Sequence, residues 1–99
     1  AKSQNGVIMR VRTVMEISGD KSEKYLKFRV EEASGIPDYV YVYIPEDILP
    51  KKKLTSIAAL CNAVSIESEG YFLKVLLSKQ KVNLFIGLLK QAVETSFEP

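Results

Sequence analysis

The chain has no histidine and a single cysteine, Cys61. Without histidine there is no imidazole base and no imidazole zinc ligand, which excludes Cys–His triads, His-based proton shuttles and zinc fingers. One cysteine permits no internal disulfide. A reducing compartment is therefore expected, an intracellular one, cytoplasmic or nuclear. Leu60 and Ala63 near Cys61 mark it as a small buried hydrophobe rather than a reactive thiol. No apolar run reaches the ~18–20 residues of a membrane span, so no membrane partner is expected. The opening AKSQNG is polar, lacks the apolar centre of a signal peptide and has no initiator Met, which reads as a processed or trimmed start.

Catalytic motifs are missing as well. The sequence has no phosphate-cradling glycine loop and no G-x-S-x-G elbow. Its 12 carboxylates fall mostly in turns or on wet strand faces, and no spacing among them marks an acid–base pair. Glu46 and Asp47 read as the acidic first turn of a helix rather than as metal ligands. A non-catalytic protein with no cofactor and no metal is expected.

What remains is a globular composition: 99 residues, 46% hydrophobic, 26% charged, net charge +2. This is one domain's length, with enough apolar content to argue against disorder. Period-two alternation predicts strands over 7–17, 24–32 and 38–44, and shorter ones over 63–68 and 71–77. SGDKSE (18–23) and SGIPD (34–38) read as turns, and Glu69-Gly70 as a hairpin turn. A short helix is predicted at about 46–61, starting at Pro45 and interrupted by Pro50. The three–four spacing of Val82, Phe85, Ile86, Leu89, Val93 and Phe97 predicts a C-terminal helix over 79–97, with Ser78 as its N-cap. Gly87 sits inside that helix at a cost of roughly 1 kcal/mol, for which close approach of another backbone would be a reason.

Three meandering strands, a short helix, a two-strand hairpin and a terminal helix follow one another. This order, with the acidic VEEASG turn leading into YVYVYIPED, resembles the OB-fold family of single-strand nucleic-acid-binding proteins. With its terminal helix it is similar to the small subunits of replication protein A and of telomere-capping complexes. The resemblance spans 7–97 as topology and departs from the family pattern in 48–66. It implies a mainly β protein with helices, a single domain (1–99) built as a five-stranded OB-like β-barrel (β-β-β-α-β-β) plus a C-terminal α-helix that meets a partner subunit. An open curved sheet packed on a dimerising helix would keep the same strands.

The tyrosines decide the functional expectation. Tyr39, Tyr41 and Tyr43 alternate with Val40, Val42 and Ile44, so one strand face is aliphatic and the other all tyrosine. In a meander, Arg10, Arg12, Tyr25, Lys27 and Arg29 join that face, with Glu16 and Glu31 toward its ends. Flat rings stack bases for ~1–3 kcal/mol each, and cations follow phosphates. Non-catalytic binding of single-stranded DNA or RNA is expected there. Packing alone also accounts for strand tyrosines, and an adaptor subunit that contacts only protein is the alternative. Lys51–Lys53 form the densest basic run, read as a solvated loop or a phosphate contact. The apolar arc of the last helix exceeds half its circumference. A homodimer or heteromer through Leu84, Phe85, Leu88 and Ala92 is therefore expected.

Overall fold

The structure, a computed structural model, describes residues 6–17 and 20–95, with side chains from Leu26 onward. Five strands run β1 (Gly6–Ile17), β2 (Asp20–Glu32), β3 (Tyr39–Pro45), β4 (Ser65–Glu69) and β5 (Phe72–Ser78). Helix α1 (Lys51–Leu60) lies between β3 and β4, and α2 (Val82–Thr95) follows a 3-10 turn at Lys79–Lys81. The strands form one antiparallel sheet in the order β1-β2-β3-β5-β4.

This sheet is open, which corrects the barrel expectation. Closure would require β1 and β4, the two edges, to pair, and they do not. The physical reason lies in how the aliphatic face is covered. Phe28, Val40, Val42, Ile44, Leu73, Val75 and Leu77 form one core with Leu54, Ile57 and Ala58 of α1 and Phe85, Ile86, Leu89 and Val93 of α2. The two helices pack on each other, and α2 also lies against β1. A layer of helices thus satisfies the face that a barrel would satisfy by curling onto itself, and the result is a two-layer, mixed α and β domain.

Several boundaries move for local reasons. Of the turn predicted at 18–23, 18–19 lie outside the described residues, while Asp20–Glu23 already pair with β1. Pro45 does not begin a helix: it ends β3 opposite Phe72, and the Glu46 amide continues the ladder by donating to the Tyr71 carbonyl at 3.0 Å. α1 starts after Pro50 instead, where proline's missing N–H costs nothing. Lys51–Lys53 therefore form its exposed first turn, not a loop. Ser78 caps the 3-10 turn, its hydroxyl accepting from the Gln80 amide at 3.3 Å. Gly70, at φ +63°, opens the two-residue turn between Glu69 and Phe72, a conformation that favours glycine.

β2 reaches β3 only over Arg29–Glu32, while its pairing with β1 runs unbroken through twelve residues. The outer part of this hairpin, from Asp20 to Tyr25, is thus a two-stranded ribbon extending roughly 20 Å beyond the sheet at strand rise.

Candidate nucleic-acid interface

The face opposite the helices is built by strand parity. Residues paired across an antiparallel ladder share a side of the sheet. Arg29 pairs with Tyr43, and Tyr43 with Lys74; Glu31 pairs with Tyr41, and Tyr41 with Leu76. On the far side of β5, Glu67 pairs with Lys74 and Glu69 with Phe72. Tyr39, Tyr41 and Tyr43 fall outside the core cluster that holds both helices.

The three tyrosines are not equivalent. Tyr43 is only 6% exposed. The Arg29 guanidinium lies 4.0 Å from its ring centroid, and Lys74 Nζ 5.9 Å. Burial first, then the charge of Glu31, pushes the Tyr43 phenol above its ordinary range, with Lys74 offsetting part of this. Tyr41 is half-buried, with Lys74 Nζ 4.3 Å from its ring centroid. Burial works against the Lys74 charge, but the Tyr43 phenol and Glu69 outweigh it and hold the ammonium above its usual value. Tyr39 is half-buried at the start of β3. Cations and rings therefore alternate in contact, Arg29–Tyr43–Lys74–Tyr41, each such pair contributing on the order of 0.5–1 kcal/mol at exposed sites.

Lys27 is exposed on β2. Arg10 sits opposite Lys27 in register, and Arg12 opposite Tyr25. The backbones of Arg10, Arg12 and Tyr25 thus belong to this face, while their side chains lie outside the described residues. Glu31 takes one arm of Arg29, Nη1 to Oε2, at 3.4 Å, and Lys74 reaches Glu69 at 4.0 Å. Among the described side chains of this face the charge is polarised: the cations Lys27, Arg29 and Lys74 lie on β2 and β5, while β4 carries only acids, Glu67 and Glu69.

Three residues of the face carried weaker signals. Lys74 and Phe72 alternate with core residues on β5, which chain order separates from the tyrosines by more than 25 residues. Only the β3–β5 pairing brings them beside Tyr43 and Pro45. Phe72 is 44% exposed and Tyr71, at the hairpin tip, 86%. The alternation of Phe72, Lys74 and Leu76 against Leu73, Val75 and Leu77 was readable; its neighbour was not.

On the opposite side, the expected partner residues separate. Phe85 and Ala92 belong to the core, Leu88 is partly buried against it, and Leu84 remains 47% exposed. Phe97 lies outside the described residues. α1, docked on α2, supplies the second surface that the wide apolar arc called for. An exposed ion pair, Lys79 to Glu32 at 2.6 Å, ties the end of β2 to the 3-10 turn. The hydrogen bond and charge of Lys79 hold the Glu32 carboxyl below its ordinary value, and Glu32 holds Lys79 above its own.

Among the described residues no three His, Cys, Asp or Glu side chains gather as a metal site, and no helix is long and apolar enough to cross a membrane. No family model matches the chain, and no curated protein or solved structure matches it.

Proposed function

We propose that this protein binds single-stranded nucleic acid on the sheet face that its helices leave bare. The observation that supports this reading is the alternation of cations and aromatic rings on that face, Arg29–Tyr43–Lys74–Tyr41. Stacked cations hold the rings in place, and the rings keep guanidinium and ammonium groups positioned for phosphate. The strand follows β2 and β3, with Lys27 and Arg29 on β2 and the register positions of Arg10 and Arg12 beside them on β1, and avoids the acidic β4 edge. Tyr43 serves as a buried support for Arg29, while Tyr39, Tyr41 and Tyr25 are the stacking positions. No catalytic step, cofactor or metal is part of this reading, and the single buried thiol suits a reducing compartment.

Fluorescence anisotropy of labelled oligo-dT and oligo-U tests it. Micromolar or tighter binding at low salt is expected, and Tyr41→Ala weakens it about 5- to 150-fold, the range of one stacked base, without unfolding the domain. Unchanged affinity for Tyr41→Ala would remove the stacking role.

A second reading, an adaptor that contacts only protein, is favoured by the helix side. Leu60 and Leu88 line one cleft of about 300 Å³ between α1 and α2, and Leu60, Val64 and Leu84 are exposed. An oligomer through α2 would use Leu84 and Leu88, since Phe85 and Ala92 are already spent in the core.

A further inference from the structure

Where β2 leaves the sheet, the side chains of Lys27, Arg29, Tyr43 and Phe72, with Phe28 behind them, enclose a pocket of about 320 Å³. We infer that this pocket takes one unstacked nucleobase of the bound strand, laid against Phe72, with the adjoining phosphate on Lys27 and Arg29. The inference rests on the single-strand-binding reading and names the subsite within it.

Four observations carry it. The volume lies at the lower end of the ~300–1,000 Å³ typical of small-ligand sites, which suits one ring system rather than a stacked pair. The walls are two aromatic rings and the aliphatic stems of Lys27 and Arg29, so the interior is apolar while the rim is cationic. Among the described residues no carboxylate lines it, and on the same face Glu31 and Glu69 are engaged with Arg29 and Lys74. Finally, Phe72 stands 44% exposed at the first position of β5, a large apolar ring that the protein's own core leaves uncovered. A flat apolar body beside an anion is the chemistry of a nucleotide. An aromatic side chain of a peptide would fill the volume but offer no anion to Lys27 or to the N–H donors of Arg29 that Glu31 leaves over.

Arg29 is also pre-organised for this task. Its guanidinium is held flat over Tyr43 at 4.0 Å, and one nitrogen is anchored by Glu31, which leaves the remaining N–H donors for a phosphate oxygen. Lys27, exposed and directly opposite Arg10 in register, supplies the second charge.

The test compares two labelled 12-mers at constant low salt, oligo-dT and an abasic oligomer with the same sugar-phosphate backbone, against wild type, Phe72→Ala and Phe72→Tyr. Wild type is expected to prefer oligo-dT. Phe72→Ala should lose about 5- to 150-fold for oligo-dT and little for the abasic strand, and Phe72→Tyr, which keeps the flat ring, should restore the preference. Circular dichroism of each variant checks that the fold persists. Wild-type binding of oligo-dT that Phe72→Ala leaves unchanged overturns the pocket while leaving the broader reading standing. Equal loss for both oligomers overturns it too, because a backbone contact rather than a base would then be at stake. No binding of either oligomer by wild type overturns the broader reading and the pocket with it.

Discussion

At the residue scale, burial sorts side chains of the same type into different roles. Cys61 closes α1 fully buried, and burial raises its thiol above the ordinary value, with Lys81 opposing weakly. Thiolate is the reactive form, so a buried thiol with a raised pKa is inert. Native protein is expected to resist a thiol reagent such as Ellman's at pH 8 and to release one equivalent on denaturation; rapid labelling of the folded protein would contradict this. Tyr43 gives a pH prediction. Its phenol is held protonated above the ordinary value of 10.0 in the folded protein. A raised folded-state pKa means the folded form keeps its proton longer than the unfolded chain, so this contribution to stability is complete below about pH 10 and fades as pH rises through the folded value. Ultraviolet difference titration of wild type against Tyr43→Phe should show that the variant loses a phenolate transition on the high-pH side of the curve, and a Tyr43→Phe variant that leaves the titration curve unaltered would refute the assignment.

At the element scale, α2 holds an avoidable weakness. Gly87 occupies its middle and is exposed, and a Cβ added there would meet nothing within 4 Å. The close backbone approach that would have been a reason for it is therefore not made among the described residues. Glycine in a helix interior costs about 1 kcal/mol relative to alanine. Gly87→Ala should raise the melting temperature by roughly 4–8 °C, the shift that 1 kcal/mol gives in a domain of this size. A fall in melting temperature instead would mean that something outside the chain needs the bare backbone. α1 carries the opposite imbalance, with Lys51–Lys53 at its positive end and no acid in its first turn. Its stability comes from Leu54, Ile57 and Ala58 packed into the core rather than from its own charges.

At the scale of the whole molecule, the two faces of the sheet differ: the aliphatic face packs against the helices, and the polar face, outside that core, is where the proposed binding would take place. The polarised charge makes a quantitative expectation. If Lys27, Arg29, Arg10 and Arg12 each meet one phosphate, the logarithm of the binding constant should fall with the logarithm of salt at a slope of about −3, from the ~0.7 counterions released per contact on single strands. Anisotropy titrations between 50 and 200 mM salt measure that slope. A slope near zero would instead favour a protein partner, whose apolar contacts respond little to salt.

The sequence by itself determined the strands and their two faces, because side-chain alternation is a property of the extended backbone and survives whatever neighbours it acquires. It determined the terminal helix because the apolar positions are periodic; the burial of Cys61, expected from its neighbours Leu60 and Ala63, came from its place in the core, since Leu60 itself is exposed. Tertiary structure decided the rest. Whether five strands close or stay open depends on what covers the aliphatic face, and here the packing of α1 on α2, together with that of α2 on β1, supplied the cover. Only the pairing of β3 with β5 placed Lys74 between Tyr41 and Tyr43 and set Phe72 beside Arg29. Local periodicity cannot specify such a neighbour, since it is chosen by long-range burial between segments that the chain keeps far apart.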